Sequence, residues 1–199
     1  MSYHLISRIK VARDYRETAI GALKQIKEIH LANGASGVRQ GIIMTGSGVN
    51  MLMNIQIFDN MVGIESSLEA TRKAPITTQT MASGKFEFFG RSILKGLVSI
   101  GTPGSTNAKF IVFTMANSEH PIEDEATEFA KILAENGAIS GRLAKFVMGD
   151  YADGQTYLLG MAYPSLSAVQ SAYDAVPADI ADKVYKLASV QRRQLIRLF

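Results

Sequence analysis

Two stretches of strand-like composition carry, at even spacing, side chains suited to proton transfer and anion binding. His4 and Arg8 lie on the first; Glu87 and Arg91 lie on another. Even spacing on a strand puts each pair on one face. The four are expected to form a charged cluster in a cleft, with His4 or Glu87 as proton acceptor and Arg91 paired to a carboxylate or holding an anionic ligand. A third stretch adds amides. Val49, Met51, Met53, Ile55 and Ile57 alternate on one face, which is expected to pack against helices, while Asn50, Leu52, Asn54, Gln56 and Phe58 share the other. Buried amides need partners, so Asn50, Asn54 and Gln56 imply a hydrogen-bond network or a polar ligand. Later in the chain Arg142, Tyr157 and Tyr163 are further strand candidates, and the Tyr157 hydroxyl is expected to orient a ligand.

Several chemistries are excluded. The chain has no cysteine, so thiolate metal sites, disulfides and cysteine nucleophiles are out. Its three histidines, His4, His30 and His120, fit no metal-ligand spacing, and no metal or cofactor is expected. Gly46-Ser47-Gly48 lacks the third glycine of a dinucleotide fingerprint and opens a strand rather than a helix. Glu123, Asp124, Glu125 and Glu128 read as an acidic helix start. A net charge of +3, spread without a basic run, gives no nucleic-acid patch. No apolar run approaches the ~20 residues that span a bilayer, and the first residues lack signal-peptide regions. A cytoplasmic location without membrane contact is expected.

The elements that must position these groups follow from periodicity. Residues 3–11 read as a strand. Asp14 and Glu17 have capping-box spacing, and Ala19, Ala22, Leu23, Ile26 and Ile29 form a helical stripe that Asn33-Gly34 ends. Strands near 38–45 and 49–58 surround a glycine-rich hairpin loop. A helix near 60–73 stops at Pro75, and a strand near 86–97 closes the unit. The same order returns: a strand at 109–115, a helix after Pro121 with Ile122, Ala126, Phe129, Ala130 and Leu133 inward, strands near 140–149 and 155–163, a helix around Leu166–Val176, and a strand near 184–198.

The recurrence is also visible in residues. Asn33-Gly34-Ala35 and Asn136-Gly137-Ala138 stop the first helix of each half, and Arg91-Ser92-Ile93-Leu94-Lys95 matches Arg193-Gln194-Leu195-Ile196-Arg197 at each end. The expected division is residues 1–100 and 109–199, with the Gly/Pro/Ser-rich segment 101–108 as linker. The fold class is α+β: two tandem ferredoxin-like β-α-β-β-α-β units. With its two sheets face to face, the chain resembles a fused version of the dimeric α/β-barrel superfamily, which includes small monooxygenases, stress-responsive barrel proteins, EthD-like proteins, and the NIPSNAP and chlorite dismutase groups. The heme-binding members use a histidine late in the second repeat, and this sequence has none after His120.

Two functions stay open. One is a small-molecule-binding or structural protein without a catalytic signature. The other is a cofactor-independent oxygenase or isomerase acting on a small acidic or aromatic substrate between the sheets. The second would use His4 and Glu87 as catalytic groups, and the ligand contacts expected are Arg8, Asn50, Asn54, Gln56, Arg91 and Tyr157. Fusion already supplies the pairing of two units, so a monomer or a homodimer is expected.

Overall fold

The computed structural model describes residues 2–102 and 107–199. The first half runs β1 (Tyr3–Val11), α1 (Arg16–Ala32), β2 (Ala35–Ile43), β3 (Leu52–Phe58), α2 (Met61–Lys73), α3 (Pro75–Ala82) and β4 (Phe86–Gly101). The second runs β5 (Phe110–Asn117), α4 (Glu123–Glu135), β6 (Ser140–Met148), β7 (Thr156–Tyr163), α5 (Leu166–Asp174), α6 (Ala178–Leu187) and β8 (Ser189–Leu198). The β-α-β-β-α-β order holds in both halves. In each half the second helix comes in two pieces, because a proline that ends one helix begins the next: Pro75 opens α3 and Pro177 caps α6. The strand expected from 184 therefore starts only at Ser189, since Ile180, Val184 and Leu187 sit at helical spacing against the second core. Of the expected linker 101–108, Gly101 ends β4, and 103–106 lie outside the described residues.

All eight strands join one closed antiparallel barrel in the order β1-β3-β2-β8-β5-β7-β6-β4. Each half contributes its four strands in the same relative order. The two seams between halves differ. β4 pairs β6 along Ile93–Gly101, whereas β2 pairs β8 only over Gly41–Ile43. Close approach at the short seam requires Gly41: a Cβ there would meet Arg197 O at 2.5 Å and Ile196 Cγ2 at 2.6 Å.

The helices cover the outside of the barrel. On α1 the buried stripe is Ala19, Ala22, Leu23, Ile26 and His30, so His30 takes the place expected of Ile29. The expected capping box does not form. Asp14 lies in a 3-10 turn and pairs with Lys85, and no side chain caps α1. The stripe expected on α4 is wholly buried, with Ile122 beside it, under Tyr157, Leu159, Met161 and Tyr163.

The largest departure concerns β3, whose faces are exchanged relative to expectation. Met53 and Ile55 point into the barrel beside Ile43, Ile111 and Ile196, while Asn54 and Gln56 face the helices. The reason is partner supply. The barrel wall offers few groups to satisfy an amide in its middle, whereas α1 and α2 bring His30, Ser67 and the backbone carbonyl of Leu23.

Candidate ligand chamber in the barrel

At one end of the barrel lies a chamber of about 460 Å³. Its body is apolar: Ile6, Ile55, Ile57, Ile111, Phe113 and Leu158 form the walls and floor. Its rim is basic and polar, with His4 from β1, Arg39 from β2, Ser140 and Arg142 from β6, Ser36, and Lys27 from α1. No Asp or Glu is among the described lining residues. The opening has a topological cause. β8 ends at Leu198, opposite Gly41, so the Ser36–Arg39 stretch of β2 has no strand register with β8 and flanks the entrance with Lys27 and the half-exposed Leu31.

The rim's electrostatics are those of a cationic site with an uncharged imidazole. Burial lowers the Arg39 guanidinium from its ordinary value; Arg142 is lowered by burial and then by the charge of Arg39, which places the two cations within each other's field. His4 is 5% exposed, and burial followed by the charge of Arg142 pushes its imidazole down to about 4. At neutral pH it is therefore neutral. Its Nε2 lies 3.4 Å from Ser2 Oγ. Repelling cations over an apolar pocket favour an anion with an apolar body.

Of the residues expected to form the site, His4 lies in this chamber, and so does Arg142, one of the further strand candidates. Arg8, two turns of the pleat away on the same face, reaches the opposite end of the barrel, where it bonds Asp150 at 3.3 Å. Glu87 is exposed and stands opposite Lys10 in register, at that same far end. A β-bulge changes the register between Arg8 and Ile9, so Glu87 pairs with Lys10 but Arg91 pairs with Ser7, on the outer face. That inserted residue separates the pair that even spacing placed together. Arg91 donates through Nε to Ser7 Oγ at 3.2 Å and stacks on Phe88. Asn50 lies in the hairpin loop at φ 71°, exposed. Tyr157 is buried under α4, with Lys145 over its ring.

Asn54 and Gln56 belong instead to a filled polar layer beneath α1, α2 and α3. Gln56 Nε2 donates to His30 Nε2 at 2.8 Å, leaving the other ring nitrogen to donate to Ser67 Oγ at 2.6 Å. Gln40 Nε2 donates to Leu23 O at 2.7 Å and to Asn54 Oδ1 at 3.3 Å. Burial, then the charge of Arg91, lowers His30 to about 4, in keeping with this neutral tautomer. The remaining space there is about 30 Å³, room for one water. The corresponding layer under α4 holds about 40 Å³. Neither accommodates a heme, and both His30 ring nitrogens are engaged, so His30 is not placed to ligate one.

Sequence reasoning missed Arg39, Lys27, Ser36 and Ser140. A signal for the arginines was present: Arg39 follows Asn33 at the same distance as Arg142 follows Asn136, so they hold equivalent places in the two halves. The closed barrel carries them to one rim.

Comparison with known proteins gives the fold. Residues 2–96 match a domain of unknown function, DUF6854. No curated protein matches the chain in sequence. Among solved structures, a candidate monooxygenase from Fusobacterium nucleatum subsp. nucleatum superposes with a TM-score of 0.68 at 10% identity, covering 99% of this chain and 92% of that one. A candidate monooxygenase from Lactobacillus acidophilus NCFM gives 0.66 at 12% identity, covering 100% and 93%. Chlorite dismutase from Candidatus Nitrospira defluvii gives 0.61 at 8% identity, covering 100% and 91%. The chain therefore has the ferredoxin-type α/β-barrel fold that these proteins share, and identities this low speak for fold alone. Among the described residues no helix is long and apolar enough to cross a membrane.

Proposed function

We propose that this protein binds a small molecule with an apolar body and an acidic head inside the barrel. The observation that carries this reading is a chamber of about 460 Å³, apolar within and basic at its rim, without a lining carboxylate. Its size lies within the ~300–1,000 Å³ of ordinary ligand cavities. The head lies by Arg142 and Arg39, where it relieves the repulsion between the two guanidinium groups, and the body covers Ile55, Ile57 and Ile111. The test uses 1-anilinonaphthalene-8-sulfonate, an apolar aromatic anion that fluoresces when buried. Wild type is expected to bind it with one-to-one stoichiometry, and Arg142→Gln to bind it about tenfold or more weakly, the value of a charge-assisted hydrogen bond. Equal binding by both proteins sinks the proposal.

Catalysis by proton transfer is a second reading, favoured by the neutral imidazole of His4 within the same chamber and in keeping with the monooxygenase names among the structural neighbours. As it stands, His4 is a weak base. Burial is the larger cause of this, and a carboxylate beside Arg142 offsets only the smaller contribution, the charge of Arg142. Phenylpyruvate, an aromatic acid with an enolisable C–H bond, is a suitable probe. Wild type is expected to speed its enol–keto interconversion, and His4→Gln to lose about tenfold or more of that rate with the dissociation constant unchanged. Absence of any wild-type acceleration removes this second reading and leaves the binding one intact.

A further inference from the structure

Three residues face two chambers. Ile6, Phe113 and Leu158 form the floor of the large chamber, and they also line a second space of about 50 Å³ at the far end of the barrel. They come from β1, β5 and β7, and their side chains meet across the barrel axis. Phe113 is the largest of the three, and its ring is seated by a glycine: a Cβ on Gly160 would stand 2.6 Å from Phe113 Cε1. The plug is thus a designed fit between a large ring and a missing side chain on the neighbouring strand. Beyond it the lining stays apolar through Met53, Met115 and Phe146 and reaches polar groups, Arg8, Arg192, Tyr151 and Gln194, only at its edge. Arg192 Nη2 donates to the Tyr151 hydroxyl at 3.3 Å, and Arg8 bonds Asp150, so the β6–β7 turn straps this end.

We propose that Phe113 sets the length of ligand that the barrel accepts, and that a second basic subsite lies beyond it on the same axis. This rests on the binding reading above. The chemistry follows from the layout. An acidic head held at the Arg39–Arg142 rim sends its apolar tail toward the barrel centre. Each added methylene gains burial until the tail meets the Phe113 ring. Past that length the tail must either fold back or displace a close-packed layer, and both cost more than a methylene returns. Without the ring the two spaces become one tunnel, with Arg39 and Arg142 at one end and Arg192 at the other. Such a tunnel fits an elongated apolar molecule with an acid at each terminus.

The experiment is displacement of bound 1-anilinonaphthalene-8-sulfonate by a series of straight-chain alkanoates and α,ω-alkanedioates. For wild type, affinity for the monoacids is expected to rise by about threefold to fourfold per methylene and then stop at a definite length. In Phe113→Ala the stop moves out by at least two methylenes. A long diacid binds that variant about tenfold tighter than wild type, and adding Arg192→Gln abolishes the gain. Phe113→Leu and Leu158→Ala, milder changes to the same layer, are expected to move the stop by about one methylene and guard against loss of fold in the first variant. The same stop in wild type and in every folded variant overturns the proposal while leaving the binding reading standing. Failure of every acid to displace the dye from wild type overturns the binding reading itself.

Discussion

His4 and His30 are both buried, both lowered to about 4, and both influenced by a neighbouring arginine, yet they sit in opposite kinds of surroundings. His30 is held on both ring nitrogens by Ser67 and Gln56, inside a layer with space for one water. His4 has Ser2 Oγ beside its Nε2 and lines a chamber of about 460 Å³. A shifted imidazole is thus no sign of a site by itself. What separates the two is whether the surrounding polar groups answer one another or face open space. The polar layer beneath α1 and α2 closes on its own partners and leaves only a water-sized space beside Gln56 Oε1; at the barrel rim, Arg39 and Arg142 stand in each other's field beside an open chamber.

That contrast can be broken most directly at His30. His30→Ala removes the partner of Gln56 and Ser67 and leaves buried polar groups unsatisfied beside a cavity, so a loss of about 2–4 kcal/mol is expected in urea denaturation. Binding of the dye to the chamber should not change. A tenfold loss of dye affinity in this variant would join the two regions that the comparison keeps apart.

Acid provides the next test. Both imidazoles have folded values near 4 against an ordinary value of 6.5. The unfolded chain therefore binds protons first as pH falls, and stability is full above about pH 6.5 and drains away toward pH 4. Each histidine accounts for about 2–3 kcal/mol of that loss. Thermal melts from pH 7.5 to 4 should show the slope, and His4→Phe should flatten only its own share. A melting temperature that stays level over this range contradicts the placement of both rings.

Arg142→Gln sharpens the contrast from the other side. It removes one of two mutually repelling, partly buried cations, so the folded state is expected to gain between zero and about 1 kcal/mol, even as anion binding fails. A clear loss of stability instead would make Arg142 a structural residue. Smallest of all is Asp150→Ala. The Arg8–Asp150 pair is largely solvated on the Asp150 side, 62% exposed, and its removal is expected to cost less than about 0.5 kcal/mol by chemical denaturation.

Much of the fold was legible before any coordinate. The Asn-Gly stops, the helical stripes on α1 and α4 and the alternation of β3 are local, and local patterns survive into the tertiary structure. The site was legible only in part. The expected cluster of His4, Arg8, Glu87 and Arg91 failed because even spacing assumes an uninterrupted pleat, and the bulge in β4 interrupts it. Arg8 was on the correct face but at the wrong end, since alternation says which side a residue faces and nothing of how far along the barrel it lies. Of the two outcomes expected for the amides of β3, a network or a polar ligand, Asn54 and Gln56 form the network, but on the helix-facing side, because alternation alone does not say which face is the inside.

By itself, then, the chain determined its element order and the equal spacing of Arg39 and Arg142 from Asn33 and Asn136. These follow from spacing along the polymer. Only the tertiary structure decided that β3 turns its isoleucines inward, that β8 runs out opposite Gly41 and leaves an entrance, and that two arginines from different halves meet at one rim. Those outcomes depend on closure of eight strands around a common axis, and closure is set by contacts between residues far apart in sequence, which no local period records.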